Sequence, residues 1–255
     1  MNEGKADYAS RVAAPRGMSG PGMSSAGEPA IVRLDALAKL DAAAVKALEQ
    51  AIAGSVADRE RTELQTEGQA IKAARLIVEG WAARVRILPD GRRQFISFLL
   101  PGDLFGQCRH ERPVALATIV AITPIRTCRA PDAAISPSLT QAYAVSAAYD
   151  EAYLLGQVTR LGRLHALERI GDVLLELHER LALAGLVHRD GSFELPLTQE
   201  MLADVLGLTP VHVNRMVQQA RQQGWLEWRT RRVTVHDPVG LAAKLGRAPV
   251  RVQSA

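Results

Sequence analysis

Twenty residues near the carboxyl end, Thr198-Gln-Glu-Met-Leu-Ala-Asp-Val-Leu-Gly-Leu-Thr-Pro-Val-His-Val-Asn-Arg-Met-Val217, limit the fold more sharply than any other stretch of the chain. Two short helices that cross closely need a small residue inside the first, and Ala203 supplies it. Gly207 takes without penalty the left-handed conformation that a tight turn between helices requires. Val213, Met216 and Val217 form the face by which the second helix packs back, and Leu202, Leu206 and Leu208 complete the apolar wedge. Thr198 and Thr209 stand where the two helices begin, as N-caps, and Pro210 follows at a first helical position. The spacing predicts a helix-turn-helix.

With its packing face assigned, the second helix presents Val211, His212, Asn214, Arg215 and Gln218 outward. Arg215 is the first candidate for reading a base, because a guanidinium bonds a guanine edge at two points. His212 and Asn214 are candidates for bases or phosphates, and Pro210 and Val211 for packing on a thymine methyl. Thr198, Gln199 and Thr209 lie at helix starts, whose free amides attract phosphate. Downstream, Gly224-Trp-Leu-Glu-Trp-Arg-Thr-Arg-Arg-Val-Thr-Val-His236 reads as a hairpin packed through its tryptophans, Leu226, Val233 and Val235, with Arg229, Arg231 and Arg232 crowding the turn. Such a wing beside a recognition helix reaches the phosphate backbone. The whole chain carries a formal charge of +4, yet from Thr209 onward eight Lys or Arg face two acids. An end-loaded positive field suits a polyanion such as DNA.

The rest of the chain divides by pattern. Residues 1–30 are rich in Gly, Ser, Ala and Pro without apolar periodicity, and a disordered tail is expected. Ile31 to about Gly54 reads as helix, with Leu34, Leu37, Ala38, Val45, Leu48 and Ile52 on one face and Asp41 placed to cap a second short helix. From Glu60 to about Arg129 the runs Leu76–Val78, Ala83–Leu88 and Gln94–Leu100 read as strands. Pro89-Asp-Gly91 is the hairpin turn between the latter two, and short strands at this spacing imply an antiparallel sandwich or barrel. Ser138 to about Leu161 reads as one long helix, with Ala142, Val145, Tyr149, Ala152, Leu155 and Val158 recurring at helical steps. Gly162 is a soft break before a second helix over His165–Leu183.

No apolar run approaches the roughly 18 residues of a membrane span. The opening residues lack a basic start followed by an apolar stretch, so a cytoplasmic location is expected. The two cysteines, Cys108 and Cys128, exclude a disulfide framework and a four-thiolate cluster; a redox role for the pair stays open. His110 near Cys108 shows no ligand spacing, and His165 and His178 read as surface or packed residues on amphipathic helices. A cupin-type metal enzyme needs clustered ligands on strands, and the segments between Leu76 and Leu100 contain no His.

With both halves in view, the chain resembles the Crp/Fnr family of bacterial transcription regulators from about Ile31 to Leu245. The resemblance rests on Val78-Glu-Gly-Trp-Ala82, on Leu88-Pro-Asp-Gly through Pro101-Gly-Asp-Leu-Phe-Gly106, on Leu161-Gly-Arg, on Ala166-Leu-Glu-Arg-Ile170, and on Leu195-Pro-Leu-Thr-Gln-Glu through Val213-Asn-Arg215. It implies an α+β chain: the tail at 1–30, a cyclic-nucleotide-binding-like β-roll sensor over 31–137, a dimerisation helix over 138–164, and a winged helix-turn-helix domain over 165–255. It implies a homodimer on a pseudo-palindromic site in double-stranded DNA, with RNA polymerase as a further partner. On that reading Tyr143, Tyr149 and Tyr153 belong to the dimer seam. The alternative is an effector-binding β-roll whose C-terminal domain serves protein interaction.

The departures are specific. Nucleotide-binding members carry Gly-Glu after the Pro-Gly-Asp turn and then Arg with Ser or Thr; here Gly106 precedes Gln107, and the later stretch is Arg112-Pro-Val-Ala115. No cofactor is predicted: a cyclic nucleotide is not expected, nor the four-cysteine iron–sulfur cluster of the oxygen-sensing branch, while haem stays open. Relatives reading the best-known operators place Glu, and sometimes Arg, where this chain has Val211 and Pro210, so only Arg215 remains of that readout set.

Overall fold

The computed structural model describes residues 28–252 except 92 and 109, so the expected tail lies outside the described residues apart from its last three positions. Those three already begin a helix. Pro29 stands in the first turn of α1 (Pro29–Leu37), where its missing N–H removes only a donor that would be unsatisfied anyway. Ala38 then turns extended, and Asp41 Oδ1 accepts the Ala44 N–H at 2.8 Å to start α2 (Ala42–Ala53). The predicted apolar face is buried at Leu34, Leu37, Ala38, Leu48 and Ile52.

Eight strands follow: β1 (Val56–Asp58), β2 (Glu63–Gln65), β3 (Arg75–Glu79), β4 (Ala82–Ile87), β5 (Arg93–Leu99), β6 (Leu104–Phe105), β7 (Thr118–Ala121) and β8 (Ile125–Arg129). They form two four-stranded sheets with the orders β1-β8-β3-β6 and β2-β7-β4-β5, every pair antiparallel. The expected hairpin is β4–β5, Ala82 opposite Leu99 and Ile87 opposite Arg93. Its turn holds Gly91 at φ +83°, with the Gly91 N–H donating to the Leu88 carbonyl at 2.9 Å.

Side chains alternate across a strand, so one strand can serve two cores. Ile77 joins Ala82, Leu99, Phe105, Ile119, Ala121 and Ile125 in one apolar cluster, whereas Leu76 and Val78 pack with Leu34, Leu48, Cys128, Leu139 and Tyr143 in another. The Pro101-Gly-Asp turn is pinned from α1. Buried Arg33 donates to the Gly102 carbonyl at 2.7 Å and pairs with Asp103 Oδ1 at 2.8 Å, while Asp103 Oδ2 accepts the Leu100 N–H at 2.7 Å.

A 3₁₀ turn at Ala133–Ile135 leads into α3 (Pro137–Arg163), which continues through Gly162 without the expected break. The chain forms two compact units whose boundary falls inside α3, between Leu154 and Leu155. One expectation is corrected here: Tyr143, Tyr149 and Tyr153 are not presented as a seam, being 8%, 8% and 4% exposed within their own chain. Tyr143 belongs to the α1–α2 core, and Tyr149 lies 5.9 Å from Tyr153 between ring centroids. Their bulk favoured the domain interior. The predicted seam is exposed only at its far end, Leu155 at 62% and Val158 at 70%.

The second unit holds α4 (Ala166–Leu183), β9 (Ser192–Glu194), α5 (Gln199–Leu206), α6 (Pro210–Gln222), β10 (Leu226–Arg229), β11 (Arg232–Val235) and α7 (Pro238–Leu245). Its sheet has the order β10-β11-β9, so the wing hairpin gains a third strand in which Phe193 faces Val233. Helix α7 follows the wing: Asp237 Oδ1 accepts the Gly240 N–H at 2.8 Å, and Pro238 occupies the first turn.

Candidate nucleic-acid interface

Both helix starts of the motif are capped as expected. Thr198 Oγ1 accepts the Met201 N–H and Thr209 Oγ1 the His212 N–H, each at 3.2 Å. Gly207 closes α5 at φ 62°, ψ 39°, a conformation that L side chains rarely adopt, and the Leu208 N–H returns to the Ala203 carbonyl at 3.1 Å. Within α6, Val213 and Ala220 are fully buried and Met216 and Val217 nearly so. This inner face fixes which side chains the helix presents.

The structure brings most of the candidate residues to the protein surface. Thr198, Gln199, Thr209, Pro210, Val211, Asn214, Arg215 and Gln218 are exposed, and His212 is half-buried. Arg221 donates to Gln218 Oε1 at 3.3 Å, one turn beyond Arg215. In the wing, Trp225, Leu226, Val233 and Val235 are buried, and Trp228 Nε1 donates to the Thr230 carbonyl at 3.2 Å. The β10–β11 turn carries Thr230 at φ 55° and exposes Arg229, Arg231 and Arg232. Arg229 is tethered to Glu227 at 2.6 Å.

The charge pattern needs one correction. Arg247, counted above in the positive field, is withdrawn from it: its guanidinium pairs with Asp172 at 2.9 Å and Glu179 at 3.1 Å. Lys244 lies over the Trp225 ring, 4.8 Å from its centroid. The exposed cations of the presented surface are therefore concentrated on α6 and the wing tip.

Beneath the motif lies a buried ionic network that sequence reasoning missed. Arg160, 2% exposed on its side chain, meets Asp172 at 2.6 Å and Glu176 at 2.5 Å and bonds Gln157, whose amide donates to the Val205 carbonyl at 2.6 Å. Arg180 adds a bond to Glu176 at 3.2 Å. Three cations, Arg160, Arg180 and Arg247, thus face three acids, Asp172, Glu176 and Glu179. Burial works to raise the Glu176 carboxyl, but Arg160, Arg180 and Arg247 more than offset it and hold the carboxyl below its ordinary range. Arg169 closes the end of the motif by donating to the carbonyls of Leu161, Leu164 and Leu206 at 2.8–2.9 Å. The available signal was the helical spacing of Asp172, Glu176 and Glu179 on α4, indistinguishable in sequence from a solvated charged face.

In the other unit, a cavity of about 910 Å³ is walled by apolar side chains including Ile96, Leu104, Phe105 and Leu116. Arg84 grips Asp150 there with two bonds of 3.0 and 3.1 Å, and Arg86 pairs with Glu67 at 2.9 Å. Cys108 is exposed beside this cavity and Cys128 is buried; both are free thiols, and burial pushes the Cys128 thiol up, keeping it protonated and poorly nucleophilic. His178 is packed, as one of the two expected alternatives had it, with its ring 5.8 Å from Phe193, and burial holds its pKa down at about 4. Among the described residues no group of three or more His, Cys, Asp or Glu is placed to hold a metal ion, and no helix is long and apolar enough to cross a membrane.

These features define a winged helix-turn-helix protein preceded by a β-roll of the cyclic-nucleotide-binding type. The Crp-like helix-turn-helix domain family matches residues 168–244, and the cyclic nucleotide-binding domain family matches residues 59–139. The chain is similar to the nitrogen fixation regulation protein FixK of Bradyrhizobium diazoefficiens, 31% identical over 153 residues, and to the transcriptional activator protein FnrL of Cereibacter sphaeroides, 32% identical over 157 residues. Each match covers 58% of this chain, and 63% and 62% of the respective relative, so the chain spans somewhat under two thirds of their length. The solved structure of FixK2 from Bradyrhizobium japonicum superposes with a TM-score of 0.65 at 25% identity, covering 77% of this chain and 98% of that one. In both halves the chain is thus similar to transcription regulators of the Crp/Fnr family.

Proposed function

We propose that this protein is a sequence-specific DNA-binding transcription regulator, not an enzyme, that acts as a cytoplasmic homodimer. Helix α6 enters the major groove of each half of a pseudo-palindromic operator, and the wing tip rests on the phosphate backbone. The observation that carries this reading is the two-sidedness of α6: Val213, Met216, Val217 and Ala220 are buried, while Val211, Asn214, Arg215 and Gln218 are exposed. The regulators named above as relatives support it. Exposed Leu155 and Val158, three residues apart on α3, suit pairing with a second copy. RNA polymerase is the partner such a regulator acts upon.

The cavity is a poor match for a cyclic nucleotide. A cyclic phosphate needs a cation and backbone donors turned toward it; of the arginines lining the cavity, Arg84 and Arg86 each hold a carboxylate of the chain itself, which leaves Arg112. Gln107 follows Gly106 where a ribose-binding carboxylate would stand. On this reading the regulator responds to a different signal or acts through its own abundance.

A gel shift of the full chain with genomic fragments, repeated across salt, tests the proposal. Selective shifts that weaken steeply with salt are expected, because neutralised phosphates release counterions. A folded dimer that retains no duplex at low salt would overturn it and favour a protein-interaction role.

A further inference from the structure

Val211 is 81% exposed, although it sits on a helix whose other large aliphatic side chains, Val213, Met216 and Val217, are all at or below 8%. It occupies the first turn of α6, directly after Pro210, and stands four residues before Arg215, hence one turn away on the same face. From Thr209 to Gln223 the segment contains no Asp or Glu. The presented face thus offers a two-point donor in Arg215, amides in Asn214 and Gln218, and one branched apolar tip, with no carboxylate to accept from a cytosine amino group.

We propose that Val211 is a specificity-determining residue that selects thymine by its 5-methyl group, so that each operator half-site pairs a thymine met by Val211 with a guanine met by Arg215. The proposal rests on the DNA-binding reading given above. Thymine is the one base whose major-groove edge presents a methyl group, which an aliphatic side chain contacts without needing a hydrogen bond. Four helical residues advance about 6 Å and successive base pairs about 3.4 Å, which places the thymine within about two base pairs of the guanine.

The experiment begins by selecting a preferred duplex from a random library with the full chain. Each selected thymine is then replaced in turn by deoxyuridine, which removes only the methyl group. For the unaltered protein, one such replacement per half-site is expected to weaken binding about fourfold, the equivalent of one methyl-sized group buried. Val211→Ala is expected to bind the thymine duplex several-fold more weakly and to lose the distinction between thymine and deoxyuridine at that position alone, whereas Val211→Ile keeps it. Because the side chain is exposed, both variants should show the parent's unfolding curve. A Val211→Ala protein whose deoxyuridine profile matches the parent's would overturn the proposal. Failure of the unaltered protein to enrich any sequence would instead overturn the DNA-binding reading beneath it.

Discussion

Arg160 Nε and Asp172 Oδ2, twelve positions apart in sequence and both buried, meet at 2.6 Å where the end of α3 crosses α4. The same guanidinium reaches Glu176 and Gln157, and Gln157 reaches the last turn of α5. The first helix of the motif is thereby tied through Gln157 to a buried ionic network. Breaking a buried pair by removing one partner strands the other charge. Arg160→Met should destabilise the folded chain by about 3–5 kcal/mol, measured by urea unfolding followed through tryptophan fluorescence, since Trp225 and Trp228 lie in the affected unit.

His178 makes stability depend on pH. Unfolded, it takes up a proton near pH 6.5; folded, burial holds its pKa at about 4. Between those values the unfolded chain binds more protons, so the contribution is complete above about pH 6.5 and is lost as pH falls toward 4. The full swing is about 3 kcal/mol. Comparing urea midpoints at pH 7.5 and pH 5 should show the loss, and His178→Leu should remove most of the difference. The lowered Glu176 carboxyl acts in the same direction but further into acid, where its stabilisation disappears below the ordinary carboxylate range.

Gly207 isolates the backbone requirement of the turn. A methyl group added there would meet Leu161 Cδ2 at 3.4 Å and Arg169 Nη1 at 3.7 Å, both ordinary contacts, so space is available and the conformation itself is the obstacle. Gly207→Ala should destabilise by about 1–2 kcal/mol. Gly207→Asn, which tolerates a left-handed backbone, should recover part of that loss in the same denaturation assay.

Arg215 and Arg231 should separate base reading from phosphate contact. Arg215→Ala is expected to lose about 1–3 kcal/mol of operator affinity and to relax selection at one base pair per half-site. Arg231→Ala at the wing tip should weaken all duplexes alike and reduce the salt slope by about one per subunit. Competition binding with operator variants at several salt concentrations distinguishes the two patterns.

The helix-turn-helix was legible in the sequence because its constraints are local: Ala203, Gly207, Val213 and the two threonine caps each follow from the geometry of two crossing helices, and all stand where that geometry requires. The β4–β5 hairpin was legible for the same reason, through Pro89-Asp-Gly91. What escaped depends on partners distant in sequence. Strands of two or three residues such as β1, β2 and β6 carry too little pattern to stand out, and β9 is recognisable only through its pairing with β11. Asp172, Glu176 and Arg247 look like solvated charges until Arg160 and α7 close over them. The tyrosines of α3 erred in the opposite way, since a helical stripe does not say whether its own domain or a second copy covers it.

The most direct measurement is dimethyl sulfate interference on a selected operator, because this reagent methylates guanine N7 in the major groove and adenine N3 in the minor groove. With α6 in the major groove and Arg215 on a guanine edge, modification of one guanine per half-site should block binding of the parent protein and leave Arg215→Ala indifferent at that base. Interference confined to adenines, or the same guanine pattern for both proteins, would contradict that placement of α6 and Arg215.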